Sequence, residues 1–177
     1  MIIETSNLLI RDLNKDEIEE ARNLHNHPSV LNFLTDTHFV SSEEQIDWFT
    51  SLQKSKTSKR LVCRKKICNK LVGIFRLDKI DRVNMTVEVG LDVILEERRK
   101  GYALEIYKAM LYFLFTKENF YRVSLWTLEN NSPAINLYQK LGFRQEGIAR
   151  EAIVRDNKRL NLLLYGLSKH ENRVEFE

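Results

Sequence analysis

The sequence predicts one α/β domain, of the α+β kind, with a mixed but mainly antiparallel sheet of seven strands and about four flanking helices. Segments with apolar residues at every second position occur beside segments with apolar residues at helical spacing. The length of 177 residues suits a single domain over 1–177. No repeat, low-complexity stretch or composition shift divides the chain.

Helix caps and short apolar runs define the first part of the chain. Asn14 followed by Glu17 has the pattern of a capping box, so a helix is expected from Lys15 to about Asn26, and Pro28 ends it. The segment 41–44 has the pattern of another helix cap. The predicted elements here are a strand at 8–11, the helix at 15–26, a short helical piece after Pro28, a helix through 46–52, and paired strands at 61–63 and 71–77.

The stretch Val87–Phe115 is the centre of the predicted fold. Apolar residues at every second position up to Val93 predict a strand with one apolar face. Apolar residues at helical spacing from Leu104 predict a long helix. The basic turn between them contains Gly101. Free backbone N–H groups at a helix start bind phosphate oxygens, so this turn is a candidate phosphate site.

Three strands and one helix complete the prediction. Tyr121–Thr127 alternates as a strand does. Pro133 occupies a first-turn position that proline favours in helices, and Gly142 is a typical terminator. The last two strands are expected at 143–153 and 160–167, joined by a turn at 155–158.

Composition and charge exclude several classes of function. Hydrophobic residues at 43% and charged residues at 30% are typical of a soluble globular protein, and no apolar run approaches the ~20 residues of a membrane span. The N-terminus lacks a signal-peptide pattern, so a cytoplasmic location is expected. A formal charge of +3 suits a modestly anionic ligand and is too small for nucleic-acid binding by charge. Cys63 and Cys68 lack a zinc-binding spacing, so no metal site is expected.

Two motifs resemble those of a known superfamily. The loop Arg98-Arg99-Lys100-Gly101-Tyr102-Ala103 matches Q/R-x-x-G-x-G/A, and residues 131–143 match N-x-x-A-I-x-x-Y-x-x-x-G-F. Both occur in the expected order and on the expected elements. They identify the chain as a member of the GNAT superfamily of acetyl-CoA-dependent N-acetyltransferases, in the branch of ribosomal-protein N-terminal, spermidine and nucleotide-amino-sugar acetyltransferases. Arg99 departs from the branch, where glycine is frequent.

The resemblance implies an acetyl-CoA site in a sheet that is splayed at its central strands. Loop amides bind the pyrophosphate, the strand backbone near Val93 pairs with the pantetheine arm, and Asn131 donates a hydrogen bond to it. The alternative for Asn131 is a helix cap. The expected cofactor-binding residues are Val93, Arg98, Arg99, Lys100, Gly101, Tyr102, Ala103 and Asn131.

The resemblance also implies two proton-transfer roles. Tyr138 occupies the position of the acid that protonates the leaving coenzyme thiolate; its alternative is core packing. Glu88, on the polar face of the central strand, is the preferred base, and Asp92 on the same face is second. Glu88 held in an ion pair, or a water acting as base, remain alternatives.

The acceptor is expected to be a small-molecule amine bound by the two N-terminal helices and their linker. The expected substrate-binding residues are His27, Asp36, His38 and Asp92. The segments 26–30 and 43–49 resemble those of N-acetyltransferases of nucleotide-linked amino sugars, and histidines and asparagines suit such a phosphate-bearing substrate. A polyamine site should be distinctly acidic, and the linker has only Asp36, so the amino sugar is favoured. A polyamine such as spermidine, an N-terminal residue of a ribosomal protein, and a non-catalytic acyl-CoA-sensing or partner-binding module are the alternatives. A homodimer is possible by analogy with the superfamily.

Overall fold

The computed structural model describes residues 1–173. The strands are β1 (Ile2–Glu4), β2 (Leu8–Asp12), β3 (Lys59–Lys65), β4 (Leu71–Asp81), β5 (Thr86–Val93), β6 (Arg122–Leu128), β7 (Arg144–Arg155) and β8 (Lys158–Ser168). The helices are α1 (Ile18–Asn26), α2 (Pro28–Leu31), α3 (Ser42–Lys54), α4 (Tyr102–Tyr112) and α5 (Ser132–Lys140). Within residues 1–173 the strands form one sheet in the order β1-β2-β3-β4-β5-β6-β8-β7.

The predicted class is confirmed, with one more strand than expected. Every neighbouring pair is antiparallel except β5 and β6, which are parallel. The additional strand, β1, pairs with β2 at the sheet edge, and the N-terminal ammonium of Met1 bonds Asp12 at the end of β2. β1 is only three residues long, too short for its apolar alternation to be recognised. Its pairing with β2 defines it.

Some helix termini follow the local sequence signals and others differ. The helix predicted from Lys15 begins with a 3-10 turn at Lys15–Glu17, and α1 starts at Ile18. Ser41 caps α3: its hydroxyl accepts from Glu44 N at 3.2 Å, and Glu44 accepts from Ser41 N at 2.7 Å. The predicted long helix ends earlier than its apolar spacing indicates. α4 stops at Tyr112, and a π-helical turn follows at Phe113–Lys117.

Two apolar clusters hold the sheet and helices together. The larger joins α4 and α5 to the central and C-terminal strands through Phe75, Tyr107, Met110, Tyr138 and Tyr165, among others. The smaller joins α1 and α2 to β3 and β4, through residues such as Leu24, Val30, Val62 and Ile74. The central strands are therefore packed by two separate groups of helices.

The sheet splays between β5 and β6. The two strands pair only where Thr86–Glu88 faces Arg122–Ser124. Beyond that point β5 continues to Val93 beside β4, while β6 continues to Leu128 beside β8. The divergence opens a cleft between the central strands, as the resemblance implied.

Candidate active site

The basic loop leads into α4 through two left-handed residues. Arg99 has φ 60° and Gly101, the N-cap of α4, has φ 87°. Such a backbone turns successive N–H groups toward one side, and the first N–H groups of α4 have no intrahelical acceptor. A Cβ built on Gly101 meets no atom within 4 Å, so the space before the loop is open. The loop therefore suits a phosphate group.

A buried carboxylate organises lysines next to this loop. Glu97 accepts from Lys65 at 2.8 Å, Lys70 at 3.1 Å and Lys100 at 3.2 Å, and its side chain is 1% exposed. The bond from Lys65, with those from the other lysines, lowers the pKa of Glu97 to about 2. The Lys65 ammonium also lies 5.2 Å from the centre of the Tyr102 ring. Three cations against one anion leave an excess of positive charge beside the loop.

The Arg98 side chain is bound within the protein. Its Nε donates to the Val93 carbonyl at 3.0 Å, and Nη2 donates to the carbonyl and hydroxyl of Ser29 at 3.0 and 3.1 Å. Burial lowers the pKa of Arg98, while nearby Asp92 opposes that change. Arg98 thus ties the end of β5 to α2, and direct phosphate contact by its side chain stays a prediction.

Asn131 is the N-cap of α5, but its side chain makes no capping hydrogen bond to the part of the chain described. Its backbone N–H donates to Leu128 O at 3.0 Å, and its carbonyl accepts from Ile135 N at 3.0 Å. Capping by the side chain, the alternative weighed from the sequence, does not describe this residue. The carboxamide is therefore available to a ligand.

Tyr138 points from α5 into the aromatic cluster beneath the cleft. It is 8% exposed, and its ring lies 5.7 Å from that of Tyr107, 6.0 Å from Phe143 and 6.0 Å from Tyr165. Burial raises the pKa of Tyr138, so the hydroxyl keeps its proton at neutral pH. A protonated phenol is the state an acid needs.

Two buried donors at this place have no hydrogen-bond acceptor among residues 1–173. They are the Tyr107 hydroxyl on α4 and Nε of Arg76 on β4. Arg76 lies across Gly90, where an added Cβ would come within 2.6 Å of Nη2, and its Nε is 3.5 Å from Asp92 Oδ2, close enough for an ion pair although it makes no hydrogen bond. Unpaired buried donors are costly in a folded protein, so their concentration here fits a functional site.

A cavity of about 290 Å³ opens between the N-terminal helices and the central strands. Asp92 and His38, both predicted to bind substrate, line it. His38 Nε2 is 2.9 Å from Glu44 Oε1. The residues that line the cavity are Ala21, Leu24, His25, His38, Val40, Glu44, Gln45, Trp48, Arg60, Ile74, Arg76 and Asp92.

His27 and Asp36, the other two predicted substrate-binding residues, are not among the residues that line the cavity. His27 is the N-cap of α2, its Nδ1 accepting from Ser29 N at 3.2 Å, and its role in substrate binding stays a prediction. Asp36 accepts from His38 N at 2.9 Å and shapes the linker without lining the cavity.

The two candidate bases on β5 lie in different surroundings, and the role of each stays a prediction. Glu88 lies where β5 still pairs with β6, facing Ser124, and its carboxylate bonds Lys79 at 2.9 Å. It is not among the cavity-lining residues, whereas Asp92, four residues further along β5, is. The ion-paired alternative for Glu88 describes its environment.

A larger groove, of about 550 Å³, lies near Asp12, Phe49 and Gln53 and meets the cavity at Arg60. Neither this groove nor the smaller cavity is lined by residues of the two motifs. The smaller cavity is lined by Arg76 of β4 and Asp92 of β5, whereas the larger groove is lined by no residue of either strand.

Sequence reasoning missed Arg76 and Tyr107. Arg76 interrupts the apolar run Leu71–Leu77, and a charged residue inside such a run is a detectable signal. Tyr107 gives no such signal, because its position on the apolar side of α4 is what a core residue shows.

The described residues also bear on metals and membranes. Among residues 1–173, no group of three or more His, Cys, Asp or Glu side chains is arranged to bind a metal ion. None of the helices within that range combines the length and apolar character that crossing a bilayer requires.

Comparison with known proteins gives consistent matches. A family profile described as an acetyltransferase (GNAT) domain matches residues 7–144. Spermidine N(1)-acetyltransferase of Vibrio cholerae is 25% identical over 175 residues, covering 96% of this chain and 99% of the relative. The enzyme of the same name from Escherichia coli K12 is 26% identical over 139 residues, covering 78% and 73%. The crystal structure of the Vibrio cholerae spermidine N-acetyltransferase with CoA and spermine superposes with a TM-score of 0.88 at 20% identity, covering 94% of this chain and 98% of that one.

Proposed function

This chain belongs to the GNAT acetyltransferase family, and from that premise we propose that its acceptor is a primary amine of a linear polyamine. The protein is an acyltransferase that uses acetyl-CoA as co-substrate. The similarity to spermidine acetyltransferases along almost the whole chain carries the proposal. The proposal treats residues 1–177 as one catalytic domain.

The charges of the cavity are compatible with a cationic acceptor. Both arginines that line it are paired: Arg60 with Asp78 at 2.8 Å and Arg76 with Asp92 at 3.5 Å. Glu44 adds a further carboxylate at the cavity wall. Carboxylates attract ammonium groups. The Trp48 ring at the wall already has a cation over it, because the guanidinium carbon of Arg60 lies 5.8 Å from the ring centre.

The nucleotide-linked amino sugar, which the sequence favoured as acceptor, becomes the second candidate. Arg60, Arg76, His25 and His38 all line the cavity, and such residues bind phosphates. The arginines, however, are already compensated by aspartates, and a diphosphate would have to compete with those pairs. The observed pairing favours the polyamine.

The proton acceptor we propose is Asp92, acting directly or through water. An alkylamine is mainly protonated at neutral pH, with a pKa of ~10 by analogy with lysine, so a proton must leave before nitrogen attacks. Asp92 lines the cavity, and its side chain is 14% exposed. Arg76 keeps the carboxylate oriented from the side of the cleft.

Tyr138 is the proposed acid. When bound, acetyl-CoA supplies the thioester whose acetyl group the amine receives. Tyr138 holds a proton at its hydroxyl beneath the cleft and gives it to the departing sulfur. The cofactor contacts proposed for the protein are loop amides at Arg99–Ala103, the Val93 backbone and the Asn131 carboxamide.

An acceptor panel tests the substrate class. Purified protein with acetyl-CoA is assayed for thiol release in the presence of spermidine, a nucleotide-linked amino sugar or a ribosomal N-terminal peptide. We expect spermidine to give the highest kcat/KM. Faster turnover with the amino sugar would replace the polyamine by the second candidate.

A pair of acid-to-amide variants tests the base. Asp92→Asn is expected to lower kcat by ~10²-fold or more, because the proton acceptor is removed. Glu88→Gln is the matched control on the same strand face and is expected to retain kcat within about threefold, since Glu88 is paired with Lys79. The reverse result would reinstate Glu88.

We also propose a homodimer formed through β7. Among residues 1–173 this edge strand of twelve residues pairs only with β8, and Ile148 and Val154 on it are 53% and 51% exposed. Long exposed edges commonly pair with another chain. Sedimentation of the protein and of an Ile148→Lys variant tests this; a monomeric parent would refute it.

A further inference from the structure

We propose that Tyr107 is a positioning residue for Tyr138: its hydroxyl donates a hydrogen bond to the Tyr138 oxygen and stabilises the phenolate formed when Tyr138 gives up its proton. The inference rests on the acid role proposed for Tyr138. It concerns a residue outside both motifs, on the helix that begins at the phosphate loop.

The packing of Tyr107 fixes its side chain in the required place. The residue is 1% exposed, and its ring meets that of Tyr138 edge-on, with centroids 5.7 Å apart and planes at 73°. Phe75 contacts it from the other side, at 5.4 Å and also 73°. Rings held edge-on from two directions cannot reorient freely. The Tyr107 ring is therefore held against that of Tyr138.

Within the described part of the chain, the Tyr107 hydroxyl is an unused hydrogen-bond donor. It is buried and, in the resting structure, makes no well-formed hydrogen bond within residues 1–173; the group it interacts with is Tyr138, whose pKa it lowers. A core position that needed only an aromatic ring would be served by phenylalanine without this unpaired group. An acceptor that becomes strong only during the reaction explains why the hydroxyl is present.

The buried surroundings of Tyr138 disfavour the negative charge that its oxygen carries after it gives up a proton. Loss of its proton leaves a negative charge in a buried place, and burial raises the pKa of Tyr138; the Tyr107 hydroxyl and the Arg76 charge lower it. Burial raises the pKa of Tyr107 still further above its ordinary value, so Tyr107 remains a donor while Tyr138 titrates. The ionisable groups that interact with Tyr138 or contact its ring are Arg76 from β4, Asp92 from β5, Tyr107 from α4 and Tyr165 from β8.

The proton transfer balances without another reactant. The O–H bond of Tyr138 breaks, an S–H bond forms on the leaving sulfur, and the electron pair stays on the Tyr138 oxygen. Tyr107 keeps its own proton and donates a hydrogen bond to that oxygen. Solvent returns a proton to Tyr138 after the products leave.

Tyr107→Phe is the test, with Tyr165→Phe as a matched control. Tyr165 also packs against Tyr138, at 6.0 Å, but its hydroxyl points to Gln145 Oε1 at 3.4 Å. We expect Tyr107→Phe to lower kcat by ~10- to 100-fold, the size of losing a hydrogen bond to a charged oxygen, with little change in KM for acetyl-CoA. The alkaline limb of the kcat profile should move to higher pH, because Tyr138 loses a group that lowers its pKa. Tyr165→Phe should leave kcat and profile unchanged.

A Tyr138→Phe background separates the two proposals. In the Tyr138→Phe protein, a second substitution, Tyr107→Phe, should have no further effect on kcat. If Tyr138→Phe itself retains full kcat at all pH values, the acid role fails and this inference fails with it. If Tyr138→Phe is impaired while Tyr107→Phe keeps the parent kcat and alkaline limb, the inference alone is overturned. A fall in kcat accompanied by a lower melting temperature and an unmoved alkaline limb would show a structural role and overturn it as well.

Discussion

We expect Gly73→Ala to displace the part of β5 that carries Asp92 and Val93. The substitution should therefore impair both the proposed base and the strand proposed to pair with the coenzyme. Gly73 lies on β4 opposite Val93 of β5. A Cβ at Gly73 would come 2.3 Å from the Asp92 carbonyl oxygen and 3.3 Å from Val93 Cα, both backbone atoms. Ordinary contact begins at 3.4 Å, so the strands must separate by about 1 Å (3.4 minus 2.3).

The cost of Gly73→Ala follows from that separation. Overpacking costs ~1–3 kcal/mol, and weakening the adjacent bond from Ile94 N to Val72 O, now 3.0 Å, adds ~1 kcal/mol. We expect the free energy of unfolding to fall by ~2–4 kcal/mol. Because β5 carries Asp92 into the cavity, a shift of this size should also reduce kcat/KM by ~10²-fold.

Urea unfolding followed by circular dichroism, with kinetics well below the melting temperature, measures both effects. Gly147→Ala is the matched control: it lies in strand β7, and its Cβ would be 3.8 Å from Leu164 Cβ, an ordinary contact. The control should stay within ~0.5 kcal/mol of the parent. If Gly73→Ala behaves like the control in stability and turnover, the deduced collision and its consequence for Asp92 are wrong.

Three further predictions concern the cofactor side. Arg99→Gly should be ~1 kcal/mol more stable than Arg99→Ala, because φ 60° strains any side chain with a Cβ. Both variants remove the positive charge, so equal KM values for acetyl-CoA would confirm that only backbone strain separates them. Asn131→Ala should raise KM for acetyl-CoA while lowering unfolding free energy by less than ~0.5 kcal/mol, since its side chain caps nothing in residues 1–173; a loss of ~1 kcal/mol would indicate capping. The pKa of Glu97 is depressed from 4.5 to about 2, so its stabilisation is complete above pH 4.5 and disappears as pH falls toward 2; the stability difference from Glu97→Gln, measured by denaturation across this range, should shrink accordingly.

Elements with local signals were predictable from the sequence. The capping box at Ser41, the alternation that ends at Val93 and the first-turn proline of α5 each depend on neighbouring residues, and each occurs in the structure. β1 lacked such a signal because three residues show no usable period. The π-helical turn after Tyr112 was missed because apolar spacing does not distinguish it from a continuing helix.

The site was predictable only where a motif marked it. Alternation placed Glu88 and Asp92 on one face of β5, but it could not tell which reaches the cavity. That depends on where β6 stops pairing, at Ser124, which is a contact between distant segments. Tyr107 depends on packing between α4 and α5, so neither period nor composition reveals its unpaired hydroxyl.

The splay gives the sheet two further edges in its interior, one on β5 and one on β6. From Val89 to Val93, β5 has β4 on one side and no paired strand among residues 1–173 on the other. A sheet edge is a template for any extended chain, so this segment resembles an incomplete ladder that the coenzyme arm would complete. Protein kept without coenzyme should therefore self-associate more readily on storage, and coenzyme A should act as a folding ligand that suppresses aggregation as well as a reactant.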